Sequence, residues 1–282
     1  MYKSIYIFGL GMMGGSIANA IKKNKLSKKI FGFDINDKNT KFAKRHKLID
    51  EYDLLNNFYF LKKSELIIIC SPTKSYKRAL LIINKHRSDS ALITDIGSTK
   101  KPIINELKKK IYNLSDNFIG SHPLAGTEKC GVKNFSSNLF KDKTVILTPT
   151  DKTLKKNLKL VANFWKKLGC NILTLSPEIH DDILAKTSHV PHLVSYALLN
   201  SIFENIKIKN IDKFTGGGFK DFARIAKSDP LMWKEICELN KHNIDMFLTE
   251  VIKNLNLVKK NIRNNNFNLL YKYFSKANKN LS

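Results

Sequence analysis

Cysteine is scarce and scattered: Cys70, Cys130, Cys170 and Cys237 are the only four in 282 residues. No two have the spacing of a metal-binding pair. Nothing in their placement suggests a disulfide framework, so a reducing, cytoplasmic compartment is expected. Long apolar runs are missing as well. None approaches the ~20 residues that a membrane-spanning helix needs. The amino terminus runs straight into Ile5-Tyr6-Ile7-Phe8 with no signal-peptide pattern, and no membrane partner is expected. Arginine is rare, present only as Arg45, Arg78, Arg87, Arg224 and Arg263, so the net charge of +25 is almost wholly lysine. Those lysines are spread along the chain instead of clustering with interleaved aromatics. Their joint excess with asparagine and isoleucine is what A/T-rich codons produce. The charge reads as solvated surface, and no nucleic-acid partner is expected.

What is present is ordinary globular material, with 43% hydrophobic and 26% charged residues. Short apolar runs at 4–8, 29–33, 66–70, 91–95, 118–121, 144–148 and 171–175 read as strands. Helical patterns such as 14–24 and 76–85 lie between them, which argues for an α/β domain with a mostly parallel sheet. From Pro177 onward no β alternation is found, and 177–205, 219–227, 230–256 and 257–275 carry helix-spaced apolar residues. Ser176-Pro177-Glu178 is a helix start: a capping serine, proline at the first helical position, then an acid. The expected division is 1–176 for the α/β domain and 177–282 for an all-helical one. Asn264-Asn265-Asn266 reads as a polar loop or helix end.

Gly9-Leu10-Gly11-Met12-Met13-Gly14 fits G-x-G-x-x-G, follows a strand run and precedes a helical one. Gly9 permits a tight turn, Gly11 lets backbone approach a pyrophosphate, and Gly14 allows close helix–strand packing. The helix start offers free N–H groups to phosphates. Asp34 ends the next apolar run and is placed to accept from ribose hydroxyls. An acid there repels a 2′-phosphate, so NAD is favoured over NADP. Cys70-Ser71-Pro72-Thr73 and Asp95-Ile96-Gly97-Ser98-Thr99-Lys100 also follow strand runs. Ligands of open α/β sheets bind at that edge, so Ser71, Pro72 and Ser98 are expected beside the nicotinamide.

His122 lies in Gly120-Ser121-His122-Pro123-Leu124-Ala125-Gly126-Thr127-Glu128, at another strand's carboxyl end. Histidine is the side chain most easily tuned to move a proton near neutral pH. In the helical half, Thr187-Ser188-His189-Val190-Pro191-His192 puts a proline inside a helical pattern. His189 and His192 have no third ligand at a suitable spacing, so no metal site is expected. Three glycines, Gly216 to Gly218, lead into Phe219-Lys220-Asp221-Phe222-Ala223-Arg224, where Asp221 and Arg224 can pair across one helical turn as a carboxylate clamp.

Taken together, these segments resemble the prephenate dehydrogenase family over nearly the whole chain. The resemblance rests on Gly9 to Ser16, Asp95 to Lys100, Ser121 to Glu128, Ser188 to His192 and Gly216 to Ala226. It implies a Rossmann-type NAD-binding domain followed by a helical substrate-binding and dimerisation domain, acting as a homodimer. It implies oxidative decarboxylation of prephenate to 4-hydroxyphenylpyruvate in tyrosine biosynthesis, or the same chemistry on arogenate. By the match, His122 deprotonates the ring hydroxyl and Ser98 orients that histidine and the cofactor. Arg224 binds a substrate carboxylate, His189 stands on the substrate side, Thr127 lies in the pocket wall, and Glu128 and Asp221 organise the arginine and the entrance. Gly9, Gly11, Met12, Met13, Gly14, Asp34, Ser71, Pro72 and Ser98 hold the cofactor.

Overall fold

The first 174 residues alternate strand and helix, as the apolar pattern requires. The computed structural model describes residues 1–109, 114, 116–126, 131–205 and 211–280. The strands are β1 (Tyr2–Phe8), β2 (Ser27–Phe33), β3 (Glu51–Tyr52), β4 (Leu66–Ile69), β5 (Leu92–Asp95), β6 (Phe118–Pro123), β7 (Thr144–Thr148) and β8 (Asn171–Thr174). They form one sheet in the order β3-β2-β1-β4-β5-β6-β7-β8. β1 to β6 run parallel, β7 is antiparallel to β6, and β8 follows β7 in parallel.

Helices α1 (Met12–Lys23), α2 (Asp37–Arg45), α3 (Tyr59–Lys62), α4 (Tyr76–His86), α5 (Lys101–Leu107) and α6 (Lys155–Lys167) belong to this layer. Alternate residues of each strand feed opposite faces. Ile5, Ile7, Leu66 and Ile68 join Ile17, Ile21 and Trp165 in one core. Tyr6, Phe8, Ile67 and Ile69 join Leu80, Ile83 and Ile104 in the other. A sheet covered on both faces explains why β4 reads Leu-Ile-Ile-Ile with no polar residue.

Among the described residues only helices follow β8: α7 (Pro177–Leu184), α8 (Val190–Asn205), α9 (Gly217–Ala226), α10 (Pro230–Leu239), α11 (Lys241–Arg263) and α12 (Phe267–Lys279). Ser176 caps α7 as expected, its hydroxyl accepting from Ile179 N at 3.2 Å. A π-helical turn, Ala185–His189, joins α7 to α8 just before Pro191. A third, smaller core gathers Ala185, Val190, Trp233, Ile236 and Ile244. Among the described residues no helix is long and apolar enough to cross a membrane.

Three details depart from the expected elements. β3 is two residues at the sheet edge, too short to carry an alternation signal. The helix expected over 230–256 is broken at Asn240, whose side chain donates to the Asp181 carbonyl at 2.8 Å and contacts His189 Nδ1 at 3.2 Å. The helix expected to begin at 257 does not: α11 continues to Arg263, and the break falls at Asn264 to Asn266, with Asn265 left-handed at φ 54°.

β6 changes partner midway. Phe118 and Ile119 pair with β5, while Gly120 to Pro123 pair with β7. Where β5 ends, a buried ion pair takes over its ladder. Asp95 Oδ1 accepts from Ser121 N at 3.1 Å, and Lys100 Nζ donates to Ser121 O at 2.7 Å and to Asp95 Oδ2 at 2.5 Å. A buried backbone N–H and C=O would otherwise stand unpaired beside His122.

Candidate active site

The glycine turn stands where β1 leaves the sheet between β2 and β4. Gly9 has φ +103°, and a Cβ there would lie 2.6 Å from Ser71 N. The Gly9 and Ser71-Pro72 turns are therefore packed backbone to backbone, which brings two of the predicted segments together. A Cβ on Gly14 would lie 2.0 Å from Gly9 O, so only glycine lets α1 start this close to the strand. Gly11, by contrast, faces open space within 4 Å. It is the N-cap of α1, whose first turn has neither a side-chain cap nor an acid, leaving the positive helix end to an anion. Met12 and Met13 follow it, half-buried.

Asp34 accepts from Leu10 N at 2.7 Å and from Asn36 N at 2.8 Å. It thus ties the glycine turn to the end of β2 and keeps further lone pairs for hydroxyl donors. It lines a cavity of about 270 Å³ with Phe33, Thr40, Asp53 and Leu54. Open backbone at Gly11, a free helix start and a carboxylate beside a cavity fit a dinucleotide.

His122 projects from the β7-paired half of β6 and is 9% exposed. Its Nδ1 lies 2.8 Å from His180 Nε2, and His180 Nδ1 lies 2.7 Å from Asp181 Oδ1. Burial, then the neighbouring His180, Lys100 and His189, hold the His122 pKa well below its ordinary value. Burial lowers that of His180 too, against the pull of its Asp181 hydrogen bond. A neutral imidazole at neutral pH is the form that accepts a proton. Ser121, on the opposite face of the strand, bonds to Thr94 Oγ1 at 2.6 Å and to Trp165 Nε1 at 3.1 Å.

Several expected arrangements are not formed. Ser98 is half-buried at the same sheet edge, but no hydrogen bond joins it to His122, whose Nδ1 is occupied by His180. His189 is 1% exposed and turned into the helical core against Asn240. The half-exposed histidine one turn on is His192, stacked on Trp233 at 4.0 Å and standing in the field of Arg224. Asp221 and Arg224 are both exposed and no ion pair joins them; the Arg224 charge instead acts on His192, whose pKa it helps to lower. Gly216 to Gly218 have no positive φ and no neighbour within 4 Å of a Cβ, so nothing within the described residues requires them to be glycine. Thr127 and Glu128 lie outside the described residues.

Sequence reasoning missed His180, Asp181 and Trp233 beside the candidate site, and it gave His192 no role of its own. A signal existed: Pro177, His180, Asp181 and Leu184 are the buried face of α7, at helical spacing. A histidine and an acid on an apolar face need partners. Trp233 Nε1 is likewise buried with no hydrogen-bond partner among the described residues.

The family models that match this chain belong to one family. Residues 17–174 match the model "Prephenate dehydrogenase, nucleotide-binding domain", and residues 176–276 match "Prephenate dehydrogenase, dimerization domain". The prephenate dehydrogenase of Bacillus subtilis is 33% identical over 98% of this chain and 75% of that relative. A crystal structure of prephenate dehydrogenase from A. aeolicus, in complex with hydroxyphenyl propionate and NAD+, superposes with a TM-score of 0.89. It is 36% identical and covers 98% of this chain and 96% of that one. An arogenate dehydrogenase from Synechocystis superposes with a TM-score of 0.81 at 25% identity, covering 98% of this chain and 97% of its own.

Proposed function

The chain belongs to the prephenate dehydrogenase family, and from that membership we propose that it oxidises prephenate to 4-hydroxyphenylpyruvate with loss of carbon dioxide, using NAD. The observation that carries the reading is His122: a buried, neutral imidazole at the sheet edge of the glycine turn, with one ring nitrogen hydrogen-bonded and the other unengaged among the described residues. Gly9, Gly11, Gly14 and the start of α1 hold the pyrophosphate, Asp34 holds the adenosine ribose, and Ser71, Pro72 and Ser98 flank the nicotinamide. Bound there, NAD supplies the hydride acceptor for the ring carbon that bears the hydroxyl.

His122 Nε2 takes the hydroxyl proton. The carbon–carbon bond to the ring carboxylate breaks, its electron pair makes the ring aromatic, and carbon dioxide leaves. The protonated imidazole can then return its proton to the new phenolate oxygen, which restores the base. Arg224 takes a substrate carboxylate. The half-exposed substrate-side histidine is His192, backed by Trp233, and His189 supports it from behind. We place the domain boundary at 176/177. Two copies pair through the helical part, where Met246, Ile252, Leu255, Ile262, Phe267 and Tyr271 are exposed.

The test is NADH formation with prephenate and with arogenate, each with NAD and with NADP. Prephenate with NAD should turn over fastest. Faster turnover of arogenate assigns the amine substrate instead, and no turnover of either overturns the reading. His122→Asn should lower kcat by roughly 10²–10⁴-fold and leave NAD affinity unchanged.

A further inference from the structure

Resting on the reading of His122 as the base, we infer that His180 and Asp181 are its positioning residues, fixing which ring nitrogen of His122 is free to take a proton. The Asp181 side chain is buried and fully engaged. Oδ1 accepts from Lys100 N at 2.8 Å and faces His180 Nδ1 at 2.7 Å; Oδ2 accepts from Lys101 N at 2.9 Å. An ionised carboxylate only accepts, so the proton of His180 sits on Nδ1.

A neutral His180 then presents the lone pair of Nε2 to His122 Nδ1, 2.8 Å away. Two lone pairs do not face one another at that distance, so His122 carries its proton on Nδ1. Its Nε2 is left as an acceptor. The tautomer of the base is thus dictated by a carboxylate two rings away. The opposite assignment sets an unprotonated His180 Nδ1 against the carboxylate, or requires a charged His180. Burial and the Lys100 ammonium both oppose that charge.

The groups facing this pair come from four elements: Lys100 ahead of α5, Asp95 at the end of β5, Asp181 on α7 and His189 in the π turn. When the substrate proton forms the Nε2–H bond, His122 keeps its Nδ1–H and donates it to His180. The new positive charge is met by Asp181 through one intervening ring, and no proton passes beyond His122. Asn240 holds the relay from the helical side by donating to the Asp181 carbonyl. A buried histidine pair has no packing advantage over apolar side chains of the same volume, which points to a chemical role.

The experiment compares His180→Leu, which has no acceptor, with His180→Gln, whose side-chain carbonyl reaches about as far as ring Nε2. Both are assayed for kcat, KM for prephenate, NAD affinity and the acid limb of kcat against pH. His180→Leu should lose roughly 10²-fold in kcat, with KM and NAD affinity within about twofold. Its acid limb should move to lower pH, because the protonated base has lost its acceptor. His180→Gln should recover about tenfold of the lost kcat. Equal kcat in the two variants, or an unmoved limb in His180→Leu, overturns the assignment and leaves only a packing role. An active His122→Asn enzyme overturns the base itself, whereas a dead His122→Asn beside a fully active His180→Leu overturns the relay alone.

Discussion

Acid should unfold this protein partly through His189. That side chain is 1% exposed, and burial pushes its pKa down to about 4, against the pull of Asp181. Its pKa in the unfolded chain is about 6.5. Between those values the unfolded chain binds the extra proton, so stability is full above about pH 6.5 and is lost as pH falls towards 4. At about 1.4 kcal/mol per pH unit, the whole window is worth about 3 kcal/mol. The part between pH 7 and pH 5 is about 2 kcal/mol, a sizeable share of the ~5–15 kcal/mol that holds a typical domain together. The perturbation is His189→Gln, which keeps a polar group for Asn240 but cannot titrate. Urea unfolding of both proteins at pH 7 and pH 5 is the assay. His122 and His180 are present in both, so only the part of their titration that depends on the His189 charge survives the comparison. The wild-type chain should lose about 2 kcal/mol more than the variant on acidification. Equal losses would refute a buried, neutral His189 and return it to the solvent-accessible substrate side.

Two further outcomes follow from the site. Arg224→Ala should raise KM for prephenate roughly 10–100-fold, the worth of a charged hydrogen bond, with a much smaller change in kcat; an unchanged KM in steady-state assays would remove Arg224 from the pocket. Gly14→Ala places a methyl group 2.0 Å from the Gly9 carbonyl, so the turn must open. Calorimetric titration should show NAD affinity reduced by at least about tenfold, and normal affinity would show that the turn's shape does not matter.

The parts legible in the sequence were those written in local order. Gly9 to Gly14 between a strand and a helix, and Asp34 at the end of the next strand, specify their own geometry because glycine spacing and strand ends are local facts. His122 at a strand tip was visible for the same reason. The partners of His122 were not, since His180 is 58 residues away and meets it only once α7 packs on the sheet. Asp221 and Arg224 show the converse limit: helical spacing allows a pair, but two exposed side chains at that spacing need not close it. His189 and His192 could not be ranked from spacing alone, because only the packing around Trp233 and Asn240 settles which one is buried. The break at Asn240 was hidden because the apolar stripe continues across it.

The exchange of partners along β6 has a consequence for descent. At Ser121 the strand is gripped by β7 on one side and by Asp95 and Lys100 on the other, so the backbone under His122 is fixed to the sheet and owes nothing to the substrate. Under the proposed function the far end of the substrate meets a different surface, carried by the half-exposed His192 and by the exposed Arg224 of α9, a helix that buries no side chain. On that reading, chemistry and preference are carried on separable parts of the chain. Relatives named for prephenate and for arogenate share this fold, and an ancestor could pass from one substrate to the other by rewriting helix surfaces while the corner of the sheet that moves the proton was inherited intact.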